Sequence, residues 1–205
     1  MNLYPLGKAS TGLLVRVAFR IKFEGTENIP PGGGYILACN HRSNFDPVII
    51  AQKVPVQVYY LAKVELLKNP VAGFIISRLG IIPVKRGEGD NSAIEKAVEI
   101  VRGGGVLGVF PEGSRSKDGV PLRPRSGAAV IASQTGADVL PMAVTYAKGV
   151  RFGGTVTVRY GQMIPNSDLG VAPGSPTSLR KASKFVMDKI IALMDPVPSD
   201  EEEAR

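Results

Sequence analysis

Seven short apolar runs alternate with stretches of helical periodicity, and this alternation constrains the fold more than any other feature of the chain. The runs cover 21–24, 35–39, 56–61, 81–84, 106–110, 139–145 and 155–160, and helix-like stretches at 46–52, 70–79, 92–102 and 126–135 separate several of them. Continuously apolar strands are buried on both faces, and intervening helices supply the cover. The pattern predicts one α/β domain, a largely buried mixed sheet of about seven strands flanked by helices. A last helix is expected over 177–194, where Leu179, Ala182, Val186, Ile190 and Leu193 recur at helical spacing. Ser175-Pro176 would start it and Asp195-Pro196 would stop it.

Charge narrows the partners. The chain holds 25 Lys and Arg against 18 Asp and Glu, so it carries +7 with its single His neutral. Five of those acids and one base fall in 195–205, an expected solvated acidic tail, so the body carries +11. Such a body suits an anionic partner: nucleic acid, a phosphorylated metabolite, a thioester carrier or acidic lipid. The basic residues are not interleaved with aromatics, so nucleic acid is not expected. One cysteine excludes an internal disulfide framework, and one cysteine with one histidine makes no zinc cage.

No run approaches the roughly 18 uninterrupted apolar residues of a membrane-spanning helix. The N-terminus shows no secretion-type core, so the cytoplasm is the default compartment. Within 1–20, Leu13, Leu14, Val17 and Ala18, with Ile21 just beyond, share one helical face, and Arg16 and Arg20 lie elsewhere. That segment is expected to be an amphipathic membrane-surface helix, the alternative being a helix packed on its own domain. The expected division is thus 1–20, a domain over 21–194, and the tail 195–205.

In α/β sheets the chemistry sits in loops at strand ends. The run 35–39 enters Asn40-His41-Arg42-Ser43-Asn44-Phe45-Asp46-Pro47. His41 is the only histidine, so any imidazole base must be this one. Asp46 is placed to fold its carboxylate back onto one ring nitrogen and free the other to accept a proton from an alcohol. The plain alternative is a helix-capping Asp46 beside a solvated His41. The run 106–110 enters Pro111-Glu112-Gly113-Ser114-Arg115-Ser116. This loop offers a carboxylate, a hydroxyl and a guanidinium fork suited to phosphate, and Lys117, Arg123 and Arg125 extend the positive field. Cys39 raises the option of an acyl-enzyme nucleophile, against which a buried packing role is expected. Ser43, Ser114 and Ser116 are read as binding or capping residues. The string Gly103-Gly104-Gly105-Val106-Leu107-Gly108 follows a helix and enters a strand, the reverse of a dinucleotide fingerprint, so it reads as a turn.

Asn40-His41-Arg42-Ser43 with Asp46 resembles the His-x4-Asp block of PlsC-type glycerolipid acyltransferases. Phe110-Pro111-Glu112-Gly113-Ser114-Arg115-Ser116 is similar to that family's Phe-Pro-Glu-Gly-Thr/Ser-Arg-Ser block. Gly80-Ile81-Ile82-Pro83-Val84-Lys85-Arg86 and Val139-Leu140-Pro141-Met142-Ala143-Val144 resemble two weaker blocks, in the family's order. The resemblance implies a glycerolphosphate acyltransferase-like fold, with His41 as general base and Asp46 as its orienting partner. It implies acceptor binding by Arg86, Glu112, Gly113, Ser114 and Arg115, with Lys85 a looser candidate. The implied reaction acylates lysophosphatidic acid from acyl-CoA or acyl-carrier protein, without metal or prosthetic group, at the cytoplasmic face of the membrane. Glycerol-3-phosphate or another lysolipid as acceptor, or a non-catalytic anionic-lipid binding protein, are the alternatives.

Overall fold

Strand β2 (Ile36–Cys39) shows why the apolar runs are continuous: Leu37 and Cys39 face one side of the sheet, and Ile36 and Ala38 face the other. Both sides are dry, so a period-two strand has no polar face. The computed structural model of the protein describes residues 4–63, 80–84, 91–172 and 174–195. Its other strands are β1 (Arg20–Glu24), β3 (Val58–Lys63), β4 (Ile81–Val84), β5 (Val106–Val109), β6 (Val139–Tyr146) and β7 (Thr155–Tyr160). They form one mixed sheet in the order β1-β7-β6-β2-β5-β3-β4. The pairings from β6 through β4 are all parallel, whereas β7 runs antiparallel to β6 and carries β1 parallel to itself.

The helices are α1 (Tyr4–Ala18), α2 (Asp46–Ala51), α3 (Asn91–Arg102), α4 (Gly127–Thr135) and α5 (Pro176–Ile191). Two apolar clusters fill the space on either side of the sheet. One takes Val15 and Phe19 with Val48, Ile49 and Ile50 of α2; the other takes Ala97, Val98 and Val101 of α3 with Ile131 of α4 and Val186 and Ile190 of α5. Each fully buried Ile or Leu in these clusters contributes about 1.5–3 kcal/mol of transfer free energy. Helix α5 begins where the sequence predicts, with the Ser175 hydroxyl accepting from the Ser178 amide and Pro176 in the first turn. It ends at Ile191, short of the expected 194.

The N-terminal segment differs from its expectation at one end. Helix α1 stops at Ala18, and Ile21 belongs to β1, where it pairs with Val156 of β7. The boundary expected at residue 20 therefore falls inside the first strand. The inner face of α1 (Tyr4, Gly7, Thr11, Gly12, Val15) packs on the domain, and Tyr4 accepts from the Val58 amide. Gly12 lets the Gln52 side chain lie close against the helix. The outer face leaves Leu6, Leu13, Leu14 and Val17 exposed. The packed reading therefore holds for the inner face, and the outer face is left exposed. The expected helix at 70–79, Lys85, Arg86 and the tail beyond 195 lie outside the described residues.

Candidate active site

Parallel pairing of β2 with β5 and β6 brings the ends of these three strands to one edge of the sheet. Beyond β2, the loop carrying His41 turns at Ser43 and enters α2 at Asp46. The Asp46 carboxylate is fully buried and faces back into that loop. Its Oδ2 accepts from His41 Nδ1 at 2.8 Å and from the Arg42 and Ser43 amides at 2.7 Å each. Its Oδ1 accepts from the Tyr146 hydroxyl at 2.6 Å. Four donors on one buried carboxylate compensate the cost of burying its charge. Phe45 stands at the cap of α2, and the Asp46 carboxylate turns to the loop, the imidazole and Tyr146. In the neutral imidazole, a carboxylate at Nδ1 favours the tautomer with its proton there and a lone pair on Nε2.

The imidazole is fixed in orientation as well as in tautomer. It stacks on Phe110, centroids 4.0 Å apart at 19°, and Phe110 in turn stacks on Tyr60. Asn40 clamps the start of the loop to β6, donating to the Val144 carbonyl at 3.0 Å and accepting the Val144 amide at 2.8 Å.

The loop after β5 is tied to the histidine loop through backbone contacts. The Ser116 amide donates to the His41 carbonyl at 2.8 Å. Glu112 is 3% exposed; its Oε1 accepts the His41 amide at 2.8 Å and its Oε2 the Leu122 amide at 2.7 Å. Burial pushes the Glu112 carboxyl upward, opposed by these two amides and by the positive charge of Arg42. Glu112, a substrate contact by the resemblance, here braces two loops, one amide on each oxygen. Gly113 has φ +70°, a conformation that strains any residue with a side chain, and the Arg125 side chain passes close over it. Ser114 and Arg115 are exposed on the same loop.

Cys39 is fully buried at the end of β2, and its thiol is pushed well upward by burial and then by the Asp46 and Glu112 carboxylates. It is a packing residue in the cluster beneath α2. Three residues near the histidine escaped the sequence reading: Tyr146, one position past the expected end of its strand; Asn40, quoted only as part of a motif; and Arg42. The Arg42 guanidinium lies against Gly119, and its Nε is buried without a hydrogen-bond partner among the described residues. No periodicity marks any of them, because each acts across loops distant in sequence.

Residues 20–145 match the family model described as Acyltransferase. The chain is 32% identical over 124 residues to a 1-acyl-sn-glycerol-3-phosphate acyltransferase of Bacillus subtilis, covering 60% of this chain and 61% of that protein. It is 32% identical over 170 residues to one of Streptococcus pneumoniae, covering 77% and 62%. It therefore spans about three fifths of the length of these curated relatives. Its fold is similar to the crystal structure of the LPA acyltransferase PlsC from Thermotoga maritima, with a TM-score of 0.67, 27% identity, and coverage of 93% of this chain and 78% of that one. The match takes in both site loops and six of the seven strands, and the chain belongs to the acyltransferase family.

Proposed function

We propose that the protein transfers a fatty acyl group from an acyl thioester, acyl-CoA or acyl-carrier protein, to the sn-2 hydroxyl of 1-acylglycerol-3-phosphate, giving phosphatidic acid. The observation that carries this reading is the 2.8 Å contact of His41 Nδ1 with Asp46, which leaves Nε2 as a base. Nε2 takes the hydroxyl proton as the oxygen attacks the thioester carbonyl. The imidazolium is stabilised by the Asp46 carboxylate and then returns the proton to the departing thiolate. Such general-base catalysis contributes roughly 10²–10⁴-fold. Arg115 and, outside the described residues, Arg86 are the proposed holders of the acceptor phosphate, with Lys85 adding charge. Ser114 lies beside them, and Glu112 acts through the loops that it braces. The reaction as written uses no metal or prosthetic group.

The lipid acceptor requires a seat at a membrane. Among the described residues no helix is long and apolar enough to cross one. The exposed Leu6, Leu13, Leu14 and Val17 of α1 support a peripheral position on an anionic surface, at the cytoplasmic leaflet expected from its negative potential. The test is thiol release from a long-chain acyl-CoA, with and without lysophosphatidate, for the wild type and His41→Ala. Acceptor-dependent release, lost in a folded variant, is expected. Vesicle binding with no release from acyl-CoA or acyl-carrier protein would reduce the protein to a lipid binder. Release only with another lysolipid or glycerol-3-phosphate would change the acceptor.

A further inference from the structure

The connection between β6 and β7 holds the most exposed large apolar side chain among the described residues: Phe152 is 80% exposed, and Val150 two positions earlier is 44% exposed. Lys148 precedes them and Arg151 lies between them, both also exposed, with positive-φ glycines at 149 and 153. No acidic residue occurs from 139 to 167 or before Glu24, so this hairpin and helix α1 are both purely basic.

The hairpin is fastened to the end of α1. The Gly153 amide donates to the Ala18 carbonyl at 2.8 Å, and the Arg20 amide donates to the Gly154 carbonyl at 2.9 Å. Phe152 therefore stands beside the helix turn that exposes Val17, Leu14 and Leu13. The hairpin also leaves the sheet directly after Tyr146, whose hydroxyl binds Asp46, so it rises from the sheet edge that carries the histidine. Phe45, half exposed on the histidine loop, packs edge-on against Phe19 at 5.3 Å, between α1 and the site.

We propose that hairpin 147–154 is a second membrane-contact element, which together with α1 forms a two-point seat on an anionic bilayer. This rests on the peripheral reading above and adds orientation to it. One interfacial helix fixes depth but leaves the body free to roll about the helix axis. A second contact off that axis removes the roll and sets the His41 edge against the headgroups. Phe152 and Val150 suit the boundary between headgroups and acyl chains, and Lys148 and Arg151 suit lipid phosphates. A lone exposed phenylalanine needs no explanation, but one on a hairpin fastened to the end of a helix whose outer face exposes Leu13, Leu14 and Val17 marks an interaction surface.

The chain has no tryptophan, so a single introduced indole is an unambiguous probe. Phe152→Trp and Leu13→Trp are each mixed with vesicles of phosphatidylcholine and phosphatidylglycerol, with and without brominated acyl chains. Blue-shifted, quenched emission from both variants is expected. Quenching of Leu13→Trp alone would overturn the hairpin contact and leave docking through α1 intact; quenching of neither would overturn both. In vesicle sedimentation, Phe152→Ser combined with Arg151→Ser is expected to weaken partitioning about tenfold. It should slow turnover of vesicle-borne acceptor without slowing turnover of a short-chain, monomeric one. Equal loss on both acceptors, or unchanged partitioning, would also overturn the proposal.

Discussion

The Tyr146 hydroxyl donates to Asp46 Oδ1 at 2.6 Å, joining the last residue of β6 to the first residue of α2 across 100 positions of sequence. The phenol is pushed far upward, first by burial and then by the Asp46 charge, so it stays protonated and remains a donor. With Oδ1 occupied, the carboxylate is held so that Oδ2 meets the imidazole. Tyr146→Phe removes a hydrogen bond to a buried charge, worth about 1.5–3 kcal/mol. A fall in Tm is expected, together with a kcat reduced about tenfold or more through lost alignment. The acceptor KM should hold, which separates positioning from binding in steady-state kinetics.

His41→Ala should abolish thiol release while leaving the thermal melt close to wild type, because the ring is partly exposed and its backbone contacts persist. Asp46→Asn is predicted to be worse for stability. Its amide group would oppose either the two loop amides or the tyrosine hydroxyl, leaving a buried donor unpaired at about 1–3 kcal/mol. Circular-dichroism melts alongside turnover assays check both outcomes.

Glu112→Gln keeps the size of the side chain but replaces one acceptor oxygen with a donor that faces an amide N–H. Destabilisation of about 1–3 kcal/mol is expected. Turnover should fall with it, although neither His41 nor Asp46 is altered, since the His41 amide or the Leu122 amide loses its acceptor. By contrast, Arg115→Ala should raise the acceptor KM and leave the melt unchanged, because this side chain is exposed. An unchanged KM would remove Arg115 from phosphate binding.

Cys39 should resist alkylation in the native protein at mildly alkaline pH and react only on unfolding, since its thiol is both buried and pushed well upward. Cys39→Ala is expected to turn over within a few-fold of wild type. Loss of activity in a folded variant would restore the acyl-enzyme alternative.

Alkaline pH should unfold the protein cooperatively. The phenols of Tyr4, Tyr35, Tyr60, Tyr146 and Tyr160 are all raised by burial, Tyr35 to about 12. A raised phenol favours the folded state fully below the ordinary value near 10, and this contribution is lost as pH rises through the folded value. Within that window each contributes a loss of up to about 1.4 kcal/mol per pH unit. Urea melts should therefore show little change up to pH 9 and a steep decline above 10, with tyrosinate absorbance appearing together with loss of ellipticity.

The sequence by itself determined the fold class, the positions of the strands and the two site loops. Strand positions are legible because burial on both faces requires uninterrupted apolar runs, as in 36–39 and 106–109, a signal local to each strand. His41 and Asp46 were legible because they lie five residues apart in one loop, and the Glu112 loop because it follows an apolar strand directly. Only the tertiary structure decided what surrounds them. Tyr146 reaches Asp46 and Glu112 braces the histidine amide because parallel pairing of β6, β2 and β5 aligns loops some 70 to 100 residues apart, and Phe152 stands beside α1 because β7 carries β1 at the far side of the sheet. The outer face of α1 was likewise read from spacing, but its end at Ala18 was set by β1 pairing with β7. Periodicity records which residues avoid water, and it carries no information about which distant strand becomes a neighbour.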